Sequence, residues 1–294
     1  MADSDLASLS SRLAVLATMH QKETVIAPLF AQHLGITVTV PAGFDSDRFG
    51  TFTRDIDRMG NQLEAARAKA KAVLEMTGEQ VAIASEGAFF PDPMLPWMAC
   101  GRELVLLIDQ GLEIEIVGEA VSPETNFSHK TVDSVDAALQ FAETAKFPSH
   151  GLVVMPSQNC TDSGPIHHGL ICKGIVVQDE LIEIVTAMLA HSPTQTVHLE
   201  TDMRAMHNPT RMGAIAQATQ DLITKIQQRC PQCGCPGFSE TERQPGLPCS
   251  LCGLPTQLTK AAIHRCQQCG YVKTVPFPDG VQTADPGQCW NCNP

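Results

Sequence analysis

Eight of the twelve cysteines fall into four C-x2-C pairs: Cys230/Cys233, Cys249/Cys252, Cys266/Cys269 and Cys289/Cys292. Two residues between thiolates let a tight turn aim both sulfurs at one ion, and a second such turn completes a tetrahedron. Gly234, Gly253 and Gly270 follow the second cysteine of their pairs, where a positive-φ turn points N–H groups at sulfur. Asn293 holds the fourth equivalent place and is the next-best residue for it. Sequential pairing gives C-x2-C-x15-C-x2-C and then C-x2-C-x19-C-x2-C, both ribbon-like spacings, and interleaved pairing stays open. Cys235 is left over and reads as a non-ligand. The alternatives for the set are a disulfide framework and an iron–sulfur cluster. A reducing compartment disfavours the first, and zinc is the better expectation than the second for a set of four thiolates. With every coordination position filled by protein, two structural zinc ions are expected and no catalysis there.

The other candidates are polar residues at the ends of apolar runs. Thr18-Met19-His20-Gln21-Lys22 lies between a predicted strand and a predicted helix, where turn N–H groups and the helix dipole can receive an anion. Lys22 would add a point charge there, and His20 a donor or proton shuttle. The plainer reading is a surface lysine and a satisfied loop histidine. Asn61-Gln62-Leu63-Glu64 reads first as a capping box and second as the source of a carboxylate, Glu64, for magnesium. Glu86, between Ser85 and Gly87, follows an apolar run at what should be the rim of a sheet, and Asp109 is a weaker candidate of the same kind.

Arg211 falls in the first turn of a helix opened by Asn208-Pro209, where a cation opposes the macrodipole. An anion held between Arg211, Arg204 and the helix N–H groups would explain it. Pairing of Arg204 and Arg211 with Asp202 and Glu200 would explain it equally. His167-His168 stand near Cys172, but Cys160 and Cys172 lack ligand spacing, so no metal site is expected there.

Strands alternating with helices must position these groups. Apolar runs at 13–17, 36–40, 81–84, 104–108, 112–117, 151–155, about 169–177 and 196–200 read as strands. Helical patterns cover about 23–33, 62–76, 134–145, 179–190 and 209–229. In 62–76, Leu63, Ala66, Ala70, Val73 and Leu74 form one stripe. The alternation predicts an α/β domain over residues 1–229, with a mixed or mostly parallel sheet and helices on both faces. A small zinc-ribbon module follows at 230–294, joined by a rigid helix.

Charge and composition narrow the partners. The formal net charge is −12, and four basic and four acidic residues beyond 229 cancel, so the whole excess sits in residues 1–229. Phosphate backbones need a basic face, and one Tyr with two Trp offers little for base stacking, so nucleic acid is not expected as a partner. No apolar run approaches the roughly 20 residues of a spanning helix. The acidic start, Met1-Ala2-Asp3-Ser4-Asp5, has no signal-peptide succession, which makes a cytoplasmic location the expectation.

Two resemblances follow from these residues. Through ATMHQKE, FDSDRFGTFT, AIASEGAF, ETDMRAMHNPTRM and the terminal cysteine pairs, residues 13–292 resemble a bacterial family known only as a domain of unknown function. Residues 13–90 are similar in layout to the house-cleaning nucleoside triphosphate pyrophosphatases of the inosine/xanthosine triphosphatase type. Thr18 and Lys22 match the Thr/Ser-x-Asn-x-x-Lys loop, one residue short and with His20 where Asn stands in that family. Glu64, Ala66 and Lys69-Ala70 approximate the E-x-A-x-x-K-A helix, and Glu86-Gly87 matches the strand end. The resemblance implies that Lys22 holds a triphosphate while Glu64 and Glu86 hold magnesium. The expected activity is magnesium-dependent hydrolysis of a phosphoanhydride, with Lys22, Arg204 and Arg211 on the phosphates. The alternative is a non-catalytic domain that senses a small anion, with the zinc module docking a protein partner.

Overall fold

The computed structural model describes residues 12–50, 60–91, 95–157 and 171–294. The elements run β1 (Leu13–Ala17), α1 (Glu23–Leu34), β2 (Thr37–Thr39), α2 (Gln62–Thr77), β3 (Val81–Pro91), β4 (Ala99–Asp109) and β5 (Ile114–Ser122). Then come β6 (His129–Val132), α3 (Val135–Thr144), β7 (Leu152–Pro156), β8 (Cys172–Ile175), α4 (Gln178–His191), β9 (Val197–Thr201) and α5 (Pro209–Gln227). The C-terminal strands are β10 (Glu240–Pro245), β11 (Thr259–Arg265) and β12 (Val272–Pro276).

The strands form three sheets. The first has order β2-β1-β3-β4-β5, parallel at β1/β2 and β1/β3 and antiparallel at β3/β4 and β4/β5. It is therefore mixed, and the option of a mostly parallel arrangement is overturned. The second sheet, β6-β9-β7-β8, and the third, β10-β11-β12, are wholly antiparallel. The physical reason lies in the connections. The tight turn at 110–113 between β4 and β5 can only return the chain antiparallel, whereas α1 and α2 each give a crossover long enough for parallel neighbours.

Period-two alternation explains why helices cover both faces of the first sheet. Ala14, Leu16, Ile83, Val105 and Leu107 pack with Ile26 and Phe30 of α1 and Ile215, Leu222 and Ile226 of α5. The intervening Val15, Ala17, Ala82, Ala84, Leu104 and Leu106 pack with Ala66, Ala70, Val73 and Leu74 of α2. The small side chains between α2 and the sheet allow a close approach. In the second sheet Leu152, Val154, Val197 and Leu199 pack against α3 and α4. The alternate residues, including Val153 and Glu200, face the other way, toward the first sheet's end. Among the described residues no helix is long and apolar enough to cross a membrane.

α5 opens as its sequence predicts. Asn208 is the N-cap and accepts from the Arg211 N–H at 2.9 Å, with Pro209 at the first helical position. β6 was not legible as a strand: His129-Lys130-Thr131-Val132 is polar at three of four positions and becomes a strand by pairing with β9 at the sheet edge.

Candidate functional site

A cleft of about 80 Å³ opens where the second sheet's uncovered face meets the C-terminal end of β1 and the middle of β3. β3 runs on past Glu86 to Pro91, so that Glu86 lies within the sheet and not at its rim. His20, Lys22, Glu86, Arg204 and Arg211, drawn from separated stretches of sequence, all line it. Lys69 and Lys173 complete five cations, set against Asp47, Glu86, Glu200 and Asp202. In a chain carrying −12 this local balance is unusual.

Each charge is held by a specific neighbour. The register of β3 on β4 sets Gly87 opposite Glu103. A Cβ on Gly87 would lie 2.5 Å from both the Arg211 guanidinium and the Glu103 carboxylate, so only glycine leaves room for them. Arg211 Nε donates to Glu103 at 2.6 Å, a second nitrogen donates to the Met203 carbonyl, and the guanidinium lies 5.7 Å over the Phe89 ring. This buried pair, together with the carbonyl, accounts for a cation in the first turn of α5. The partner that the structure gives Arg211 is Glu103. Arg204 does pair with Asp202, donating from Nη2 at 2.6 Å. Lys69 reaches from α2 to form a buried ion pair with Glu86. His20 Nε2 lies 2.8 Å from Asp47 Oδ1, and that hydrogen bond is the leading reason the Asp47 carboxyl sits below its ordinary range.

Lys22 differs from the others. It is buried, and its Nζ donates to Ser85 Oγ at 2.9 Å and to the Ser85 carbonyl at 3.1 Å. Among the described residues it makes no ion pair. Burial, with Arg211 and Lys69 close by, brings its pKa down to about 7, although Glu86 and Glu103 act in the opposite sense. The turn that presents it carries Gln21 at φ 59°, a left-handed conformation that costs a non-glycine residue about 1–2 kcal/mol.

Three candidates lie elsewhere. Thr18 is buried beneath the turn, its Oγ1 accepting from the His20 N–H at 3.2 Å, so it shapes the turn rather than lining the cleft. Glu64 accepts from the Asn61 N–H at 2.8 Å and completes a capping box. Glu64 is thus held by a helix cap and is not among the residues that line the cleft, whereas Glu86 lines it and pairs with Lys69. Asp109 is at the far end of β4, paired with Arg12 and accepting from the Gly111 and Leu112 N–H groups. His167, His168 and Cys160 lie outside the described residues.

Lys173, Asp47 and Glu103 have no role in the sequence reading, and Lys69 enters it only through the helix resemblance, with no site role of its own. Lys69 left a signal, since it falls on the apolar stripe between Ala66 and Val73, where a lysine needs a buried partner. Lys173 and Asp47 left none.

The cysteines assemble in interleaved order: Cys230, Cys233, Cys266 and Cys269 form one set, and Cys249, Cys252, Cys289 and Cys292 the other. Cys235 is in neither and packs into the first sheet's core. The eight are free thiols, with Sγ–Sγ separations of 3.5 and 3.7 Å in the first set and 3.7 and 3.9 Å in the second. A tetrahedron of thiolates at the zinc–sulfur distance has edges of about 3.8 Å, so each set fits one ion. Gly234, Gly253 and Gly270 adopt positive φ, as their places require. Asn293 does not share that conformation. It donates its N–H to the Cys289 carbonyl at 2.8 Å, as the glycines do in their turns, and its side chain holds the Gly287 carbonyl.

The ends of the module differ. Beside the first set, Gln267 accepts from the Glu115 N–H at 3.0 Å and donates to the Glu115 carbonyl at 2.6 Å, satisfying edge strand β5. Cys230, Phe238 and Cys266 join the core of α1, α5 and β5. Beside the second set, the residues between paired cysteines include Leu251, 74% exposed, and Trp290, 66% exposed. No residue of the module lines the cleft.

A family model described as "Domain of unknown function (DUF6671)" matches residues 69–294. The match takes in Lys69, Glu86, Arg204, Arg211 and all eight paired cysteines, and begins after His20, Lys22 and Asp47. No curated protein matches the chain significantly.

Proposed function

The chain belongs to the DUF6671 family, whose description names no activity, and from the site itself we propose an anion-binding protein with two structural zinc ions. The cleft takes a small phosphate-type anion, either free or as the charged end of a phosphorylated metabolite. The observation that carries this reading is Lys22, a buried lysine in the cleft with no counter-charge bonded to it among the described residues. An entering anion supplies that charge, and Arg204 and Lys173 across the cleft add to its field. A volume near 80 Å³ suits a phosphate group better than a whole nucleotide, since drug-sized ligands occupy roughly 300–1,000 Å³. The zinc sets are closed and contribute to folding rather than to reaction. Their exposed end, with Leu251 and Trp290, supports the protein-docking role expected of the module.

The test is calorimetric titration of the zinc-loaded chain with inorganic phosphate and pyrophosphate. Saturable binding that weakens at least tenfold in Lys22→Met supports the reading. Identical weak heats for both proteins would remove it.

The His20–Asp47 pair in the same cleft favours a second reading, phosphoanhydride hydrolysis, because a histidine oriented by a carboxylate can serve as a general base to water. Incubation with nucleoside triphosphates, including inosine and xanthosine forms, and magnesium or manganese would release pyrophosphate or phosphate. His20→Gln and Glu86→Gln are the controls. No turnover by the folded protein would leave binding alone.

A further inference from the structure

We propose that Lys22 is a nucleophile whose Nζ forms an imine with the carbonyl carbon of a small anionic carbonyl compound. The compound is a 2-oxo acid or a phosphorylated aldehyde or ketone. This rests on the anion-binding reading of the same cleft and goes beyond it in naming a covalent step.

The geometry separates Lys22 from the other cleft lysine. Lys69 is engaged by Glu86 in a buried ion pair, whereas Lys22 has no such partner among the described residues. The two bonds Lys22 makes, to Ser85 Oγ and the Ser85 carbonyl, match the two N–H groups of a neutral amine and leave its lone pair unengaged. Arg211 and Lys69 face it from α5 and α2 and disfavour its charged form, while Glu86 on β3 and Glu103 on β4 partly offset them. A pKa of about 7 leaves much of Lys22 neutral at neutral pH, whereas an ordinary lysine is neutral in only about one molecule in a few thousand. Lysines desolvated beside another cation are activated in this way.

The remaining parts of the cleft match the chemistry. Arg204, which also pairs with Asp202, and Lys173 line the cleft on the side an acid group would face, and the small volume admits a two- or three-carbon oxo acid whole. In the step, the nitrogen lone pair forms a C–N bond as the carbonyl π pair moves to oxygen. The carbinolamine then loses that oxygen as water, carrying both protons that the nitrogen gives up, and a C=N bond remains. His20, held by Asp47, relays the proton to the leaving hydroxyl. No oxidant or further reactant is required.

The experiment treats the zinc-loaded full chain with glyoxylate and sodium borohydride at pH 7 and maps the reduced adducts by peptide mass spectrometry. The expected adduct lies on Lys22, at least tenfold above Lys69 or any surface lysine, and inorganic phosphate suppresses it. Lys22→Arg, which keeps the charge, is expected to retain its zinc content and melting temperature while losing the adduct. Adducts spread over surface lysines with Lys22 unmodified would overturn the proposal. So would labelling of Lys22 that phosphate does not slow, since the carbonyl compound would not then be held as an anion. Phosphate titration without glyoxylate separates the two ideas. Binding without an adduct sinks the imine alone, and absence of both sinks the anion site as well.

Discussion

The cleft and the cysteine module solve opposite problems of assembly. In the module each half-site is one turn of chain, closed by bonds such as Gly234 N–H to the Cys230 carbonyl at 2.8 Å. In the cleft no two adjacent elements suffice. Arg211 meets Glu103 across 108 residues, and Lys22 meets Ser85 across 63. The module's sulfurs repel one another as thiolates until an ion joins them, whereas most cleft charges are already paired. A local motif ties its chemistry to one small folding unit. A dispersed site ties its geometry to the whole fold, so most substitutions there change stability and chemistry together.

The largest effect should come from the metal sets, and it should be unequal between them. Structural zinc sites carry roughly 10 kcal/mol or more of binding free energy that is also folding free energy. Cys230→Ser should therefore unfold the module's inner end, expose Phe238 and Ile116 and lower the melting temperature of the whole chain, because these residues share one core. Cys252→Ser should lose one ion and loosen only the outer end. Zinc content with hydrogen exchange distinguishes these outcomes, and equal losses would erase the contrast between the two ends.

Next is the buried pair beneath the cleft. Arg211→Met leaves Glu103 charged and unpaired, with an expected loss of about 3–5 kcal/mol in denaturant unfolding. Changing Glu103→Gln in the same chain should recover part of it, and additive losses would show that the pair is not coupled.

Lys22 gives a smaller effect with a distinctive pH dependence. Its folded pKa is lowered, so the penalty for burying its charge is complete below about pH 7 and is relieved between there and its ordinary 10.5. Lys22→Met should therefore stabilise the protein more at pH 6 than at pH 9. Sulfate keeps one charge across this range and favours the protonated lysine. Its affinity should fall above pH 7 by up to about tenfold per unit, the limit for a single proton. A flat sulfate profile would detach Lys22 from anion binding.

The smallest effect separates the cap from the cleft. Glu64→Ala should cost about 0.5–1 kcal/mol through lost capping and leave sulfate affinity unchanged. A tenfold drop in affinity would return Glu64 to the site.

What the sequence determined by itself is what short-range geometry controls. The C-x2-C turns, the Asn208-Pro209 helix start, the Asn61–Glu64 capping box and the period-two strands each depend on a few adjacent dihedral angles. His20, Lys22, Arg204 and Arg211 stand out in the sequence because strand ends and helix starts gather polar groups, and they share one cleft with Glu86, which lies within β3 and not at its end. Tertiary structure alone decided the rest. Thr18 and Glu64 carried the right chemistry but were turned to backbone duties by the bonds nearest to them. The β10–β11 hairpin carries Cys266 back toward Cys230 and away from Cys249, which is why the thiols pair in interleaved order. Glu103 became the partner of Arg211 because the β3/β4 register set it opposite a glycine. Among the described residues Lys22 has no bonded counter-charge, because the nearby carboxylates Glu86 and Glu103 pair with Lys69 and Arg211. Pairings of this kind depend on which long-range contacts win, and no local pattern of residues encodes that competition.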